Sequence, residues 1–286
     1  MFKFTRDDDT IAAGFRRIAL EQIDGMLAPA KPGGKKNSAI HAVRGRAKKL
    51  RGLLRLVRPA FPDYAMENAA IRDAAARLSA ARDSEALVEV FDKYLMPDAD
   101  RNPTLPSIRS RLAAARDSRG DEGAESLVEF RAAMAVVRQR AERWTLTEGG
   151  FGTLGNGMRQ TYRTARRRLE AARRQQDIVA LHDWRKAIKS HGQHLSLLRE
   201  AAPDVVASRK ALAVHLGELL GDHHNLAVLR GQLTAGENAA ESDVMALIDA
   251  HMQRLQDEAF ELGRQMLAER PRALRRRFGA YWKSWR

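Results

Sequence analysis

The sequence predicts an all-helical protein built from two similar halves. Three observations carry that expectation. The mix is rich in Ala, Leu, Arg and Glu, with only 4 Trp, 4 Tyr and 9 Pro in 286 residues, a balance that favours helices. Apolar residues recur at helical spacing wherever Gly or Pro does not intervene, and no alternating strand pattern appears. A segment of the first half also recurs in the second. Hydrophobic residues make up 44% of the chain, enough to fill a core.

The elements follow in order. Thr10 is placed to cap a first helix over "IAAGFRRIALEQIDGML" (11–27), and "APAKPGGKKN" (28–37) reads as a loop. Ser38 can cap a second helix running to about Val57, where Pro59 and Pro62 end it. Further helices are expected near 64–80, 83–95, 105–117 and 124–143. "TEGGFGTLGNG" (147–157) holds five Gly in eleven residues and reads as a flexible break. Helical patterns resume near 157–175, 177–200, 204–220, 223–233 and 241–268, and a basic aromatic tail closes the chain. The expected division is a first half over 1–146, a Gly-rich linker over 147–157 and a second half over 158–286.

Composition excludes some chemistry. With no cysteine, disulfides, thiolate-bound zinc and thiol catalysis are all ruled out. "MFKFTRDDDT" lacks the basic start and apolar run of a secretory signal. No window approaches the roughly 18–20 apolar residues needed to span a bilayer. The expectation is a soluble, cytoplasmic protein with no membrane partner.

Charge is concentrated. Residues 41–58 carry +7, 159–174 carry +6 and 269–286 carry +6, against +14 for the whole chain, so the remainder is net acidic. Clustered cations repel one another unless something compensates them, which points to a polyanionic partner.

A shift of 141 residues lays "AIHAVRGRAKKLRGLLRLV" (39–57) on "ALHDWRKAIKSHGQHLSLL" (180–198). His41 meets His182, Arg44 meets Arg185, and Lys48 meets Lys189. The apolar positions Ile40, Val43, Ala47, Leu54 and Val57 fall on Leu181, Trp184, Ile188, Leu195 and Leu198. A second echo pairs "RLSAARDSEAL" (77–87) with "HLGELLGDHHNL" (215–226), aligning Asp83 with Asp222 if one residue is inserted. The two halves look like a duplicated bundle.

At about 100° per residue, His41, Arg44, Lys48, Arg51 and Arg55 fall within an arc of about 80°, a stripe about 20 Å long beside the apolar seam. Such a line suits an extended anion better than one phosphate. Arg can grip phosphate oxygens in pairs, Lys supplies a point charge, and a neutral His donates one hydrogen bond. The second copy has Gly192 and Ser196 where Arg51 and Arg55 stand, and Arg159, Arg163, Arg166 and Arg167 on the preceding helix can supply the missing charge. A basic run is ordinarily a solvated helix face. These two runs differ from one by lacking the mixed signs of i,i+4 pairing beyond Asp183, and by repeating with their histidine.

The two H-x-x-R-x-x-x-K helices, at 41–48 and 182–189, resemble the CHAD family, the conserved histidine α-helical domain. "LHDWRKAIKSHGQHLSLL", "LGELLGDHHNLAVL", "LSAARDSEAL" and the tail "RPRALRRRFGAYWKSW" are similar to its other motifs. The resemblance covers nearly the whole chain as one CHAD domain. It implies two four-helix bundles related by a pseudo-twofold axis, with a shared basic cleft that binds inorganic polyphosphate, and association with polyphosphate granules. It carries over to His41, Arg44, Lys48, Arg51 and Arg55, to His182, Arg185 and Lys189, and to Arg163 and Arg166 after Tyr162. No catalytic residue, cofactor or metal is expected.

Alternatives stay open. A nucleic-acid-binding protein would also be basic, although the stripes lack stacking aromatics and no recognition-helix motif appears; nucleic acid is expected only as a non-specific competitor. His191 and His194, with His223 and His224 farther along, suggest a histidine metal site, but there is no H-E-x-x-H, and His191 occupies the seam position of Leu50. A phosphate-polymer enzyme would need an acidic cluster for magnesium, and none is evident. Asp83 and Asp222 are expected to cap helices or orient Arg and His side chains. Asp7, Asp8 and Asp9 precede the first helix, where its dipole favours them. Trp144, Trp184, Trp282 and Trp285 are expected to pack.

Overall fold

The computed structural model describes residues 1–28, 36–78, 80–117, 123–234 and 242–286, with the side chains of 36–38, 80–84 and 123–125 outside the description. The expected loop around 28–37, the Ser38 cap and the Asp83 carboxylate therefore lie largely or wholly outside the described residues. Within them the chain is helical, with no strand.

The helices are α1 (Ile11–Leu27), α2 (Lys36–Val57), α3 (Tyr64–Ala76), α4 (Ala80–Tyr94), α5 (Leu105–Asp117) and α6 (Gly123–Ala141). Then come α7 (Phe151–Gln175), α8 (Ile178–Leu197), α9 (Pro203–Thr234), α10 (Ser242–Met266) and α11 (Pro271–Trp285). Thr10 accepts the Ala13 N–H at 3.0 Å and so caps α1 at the expected residue. Asp177 accepts the Ala180 N–H at 2.7 Å and fixes the start of α8 in the same way.

Packing follows the apolar stripes. α1 lies against α2 and α6, and α3 against α2 and α6. Phe15 stacks on Trp144 with centroids 5.5 Å apart and meets Phe61 edge-on at 5.2 Å, which locks α1 to the chain on either side of α3 and α6. Later, α7 packs on α8, α8 on α9, and α9 on α10. The α4–α5 pair reaches across to α9. One continuous core joins the two sets, because α2 also packs against α7 and α8.

The basic aromatic tail forms α11, which buries Leu274, Phe278 and Trp282 against α7. Trp282 meets Phe4 edge-on at 5.9 Å, and the Phe4 N–H donates to Leu197 O at 3.0 Å. The two ends of the chain thus close on each other over the end of α8. Asp8, in the acidic run before α1, is buried and accepts Arg17 through Nε at 2.6 Å and Nη2 at 2.8 Å. It is an anchor for α1 as well as a favourable charge at its start.

Two boundaries differ from expectation for tertiary reasons. α7 begins at Phe151, so most of the Gly-rich stretch is helical and not a flexible break. Gly157 is there for close approach: a Cβ on it would sit 1.8 Å from the main-chain oxygen of Leu56. The expected interruption between 204–220 and 223–233 is absent, and α9 runs unbroken for 32 residues. Gly221 lies inside it because the Arg185 guanidinium rests there, 2.9 Å from where a Cβ would stand.

Candidate functional site: two repeated cationic helices

On α2, Ile40, Val43, Ala47, Leu50, Leu54 and Val57 are buried, one residue or two per turn along a single seam. On α8 and its C-cap Leu198 the equivalent seam is Leu181, Trp184, Ile188, His191, Leu195 and Leu198, and every member is buried. The 141-residue shift therefore preserves burial position by position, with His191 in the place of Leu50. The cations beside each seam keep their exposure as well. Arg44 and Arg185 are half-buried, and Lys48 and Lys189 are exposed.

Both arginines end on a main-chain carbonyl of their own half. Arg44 Nη1 donates to Leu78 O at 2.5 Å, just past α3, and Arg185 Nε donates to Gly217 O at 3.4 Å, on α9. The stem of Lys189 runs beside Gly217. His182 packs on His224 of α9 with ring centroids 4.1 Å apart and the planes tilted by 35°. Burial first, then His224, Lys186 and Arg185, lower its pKa to about 4, so the ring is neutral near pH 7.

α2 and α8 touch directly. Gln193 Nε2 donates to Lys48 O at 2.9 Å, and His194 Nε2 lies 3.1 Å from Gly52 O. Farther along α2, Arg51 Nε donates to Asn68 Oδ1 of α3 at 3.0 Å. Burial lowers the pKa of Arg51 and of Arg55, with repulsion from a neighbouring arginine adding to it. Both remain cations. Ser196, which replaces Arg55 in the second copy, turns its hydroxyl onto Gly192 O at 3.1 Å.

The preceding helix does bring charge to this region, but selectively. Arg163 and Arg167 of α7 line a cavity of about 430 Å³ together with Arg55. Arg166, one step round the helix, donates to Glu269 O at 3.2 Å. Arg163 lines this cavity and Arg166 does not. Arg58, Arg168 and Lys186 also line the cavity and were not among the expected site residues. Arg58 and Arg168 lie within the two basic runs, which is the signal that could have found them; Lys186 sits off the stripe.

Among the described residues, Asp222 is not at a helix start, and its partners are a lysine and a tyrosine. It lies inside α9, where Oδ2 accepts Lys93 Nζ at 2.7 Å and Tyr94 OH at 2.8 Å, tying α9 to α4. The hydrogen bond that Lys93 donates to Asp222 raises the Lys93 pKa. His191 and His194 are fully buried, His191 packing on the Tyr162 ring at 5.1 Å. Among the described residues, no group of three or more His, Cys, Asp or Glu is placed to hold a metal ion. No helix among them is long and apolar enough to cross a membrane.

The architecture is that of an all-helical protein in which a seam-and-stripe helix occurs twice. The family model of the CHAD domain matches residues 17–234, and the chain belongs to the CHAD family. The crystal structure of the CHAD domain from the plant Ricinus communis is similar to it, with a TM-score of 0.66 at 17% sequence identity, covering 94% of this chain and 95% of that one. At that identity the likeness is one of fold. No curated protein matches the chain by sequence.

Proposed function

We propose that this protein binds inorganic polyphosphate without turning it over, as the CHAD resemblance implies. The proposed binding residues are His41, Arg44, Lys48, Arg51 and Arg55 on α2, His182, Arg185 and Lys189 on α8, and Arg163 and Arg166 on α7. In this reading α1, α2, α3 and α6 form one four-helix bundle and α7 to α10 another, related by a pseudo-twofold axis that exchanges α2 with α8. The two cation stripes then share one cleft and one extended anion. The division at about residue 147, and association with polyphosphate granules, belong to the same reading.

The observation that carries it is the equivalence of Arg44 and Arg185. Both are half-buried beside a buried seam, and each is held by a carbonyl of its own half. Guanidinium groups favour phosphate oxygens, which their forked donors can grip in pairs. Replacing Arg44, Lys48, Arg185 and Lys189 with Ala is expected to abolish long-chain polyphosphate binding while helicity is retained. Undiminished binding at moderate salt would overturn the assignment. A competition titration against DNA and RNA at equal phosphate, and a phosphate-release assay with magnesium, separate this reading from a nucleic-acid binder and from an enzyme.

A further inference from the structure

The cavity between the end of α2, the start of α3 and the outer faces of α7 and α8 carries a charge that the fold does not use. Six cations line it: Arg55, Arg58, Arg163, Arg167, Arg168 and Lys186. The one carboxylate in its wall is Asp183, which pairs with Arg168 at 3.1 Å and with Lys186 at 2.6 Å. Among the described residues, Arg55, Arg58, Arg163 and Arg167 form no ion pair with a carboxylate. Arg58 instead lies over the Tyr64 ring, 4.9 Å from its centroid, and Tyr64 shares the cavity wall with Arg55. The Tyr64 ring thus holds the Arg58 guanidinium in the wall without neutralising it.

Ligand pockets for drug-like molecules are mostly apolar. This one has a guanidinium wall, and its cations are largely exposed. Such a groove concentrates anions, and planar forked donors favour phosphate oxygens. Its position adds a direction. Arg55 is both the last member of the α2 stripe and a wall of the groove. An anion lying along His41, Arg44, Lys48 and Arg51 meets the groove where the stripe ends.

We infer that the groove between α2, α7 and α8 is an extension of the polyphosphate track. It holds the part of a long chain that runs past Arg55, through Arg58, Arg167, Arg168 and Lys186. This rests on the polyphosphate reading and adds a chain-length preference to it. A chain shorter than the stripe, about 20 Å, is held without the groove; a longer one gains the extra contacts.

The test uses the full chain and two probes, tripolyphosphate and long-chain polyphosphate, each titrated over a range of salt. The triple variant Arg58→Gln, Arg167→Gln, Lys186→Gln is expected to bind the long chain at least tenfold more weakly. Its salt slope should be shallower by about 2, since each lost contact removes about 0.7 by analogy with single strands. Tripolyphosphate affinity should stay within about twofold. Asp183→Asn, which releases Arg168 and Lys186 to the ligand, should tighten long-chain binding several-fold, a gain that misfolding does not produce. Wild-type long-chain affinity and slope in the triple variant overturn the extension, as does an equal loss for both probes or no gain in Asp183→Asn. A wild-type chain that binds neither probe overturns the underlying reading instead. Stronger binding of DNA than of polyphosphate in the groove assigns it to another polyanion and overturns the inference.

Discussion

His194 Nε2 lies 3.1 Å from the main-chain oxygen of Gly52, so the ring on α8 donates its proton into the backbone of α2. A carbonyl only accepts, which fixes the tautomer: Nε2 carries hydrogen, and Nδ1 is buried with no hydrogen-bond partner among the described residues. Burial drives the pKa of His194 to about 3, that of His223 to about 4, and that of His191 well below the ordinary 6.5. An unfolded chain protonates these rings below pH 6.5, while the folded one resists. Their full contribution is present above pH 6.5 and is lost as pH falls towards 4 and 3. His194 and His223 are each expected to cost roughly 1 kcal/mol of stability at pH 5.5 relative to pH 7.5, and His191 acts in the same direction. Urea melts at the two pH values should show the midpoint falling, and His191→Leu should flatten that dependence. An unchanged midpoint would contradict the burial of the three rings.

Gly157 is the contact on which α7 crosses α2. Its missing Cβ would stand 1.8 Å from Leu56 O and 2.9 Å from Arg55 O, both main-chain atoms that no rotamer change can move. Gly157→Ala is expected to destabilise by the upper end of roughly 1–3 kcal/mol, or more. Gly152, also in α7, has nothing within 4 Å of its Cβ position. Gly152→Ala is therefore expected to be neutral or to stabilise by up to about 1 kcal/mol. Denaturant midpoints for the pair decide it: equal effects would mean that the α2–α7 crossing is wrong.

Glu67 holds α3 to α6 and to Trp144. Its carboxylate is fully buried and accepts Arg140 at 2.6 and 2.8 Å and Trp144 Nε1 at 3.2 Å. Breaking a fully buried pair costs roughly 3–5 kcal/mol. Arg140 keeps 36% of its side chain in solvent, which softens the penalty of leaving it alone. Glu67→Ala is expected to cost about 2 kcal/mol, and Glu67→Gln less, because the amide oxygen can still accept from Trp144. Equal stability of Glu67→Ala and wild type, by thermal or denaturant unfolding, would show that the triad contributes nothing.

The helical seam was legible because its period depends only on local spacing. That is why Ile11–Leu27 and its Thr10 cap stand where the sequence puts them, and why His191 was recognisable as a packing residue from its register with Leu50. Glycine is harder to read. Gly157 and Gly221 look like breaks along the chain, yet each marks a place where Leu56 or Arg185, distant in sequence, comes close. The same limit applies to the charges. Spacing groups Arg163 with Arg167, but only the fold shows that Arg166 turns to Glu269 and that Lys186 joins Arg55 across the cavity. The partners of Asp222 were out of reach for a related reason, since Lys93 and Tyr94 lie about 130 residues away.

Polyphosphate binding should itself be proton-linked through His182. In the free protein this ring is held neutral, with a pKa of about 4, by burial first and then by His224, Lys186 and Arg185, against a smaller opposing pull from Asp183. A polyanion laid beside it reverses the local field and favours the imidazolium. The pKa then rises on binding, so the complex takes up a proton and affinity grows as pH falls from 7.5 towards 6. Linkage limits one histidine to about a tenfold gain per pH unit. Several-fold tightening of long-chain polyphosphate binding is expected between pH 7.5 and 6.0 at constant ionic strength. His182→Gln, which keeps a donor but cannot be charged, should still bind at pH 7.5 and lose most of that tightening. A pH dependence that survives in His182→Gln would place the proton uptake elsewhere and remove His182 from the contact.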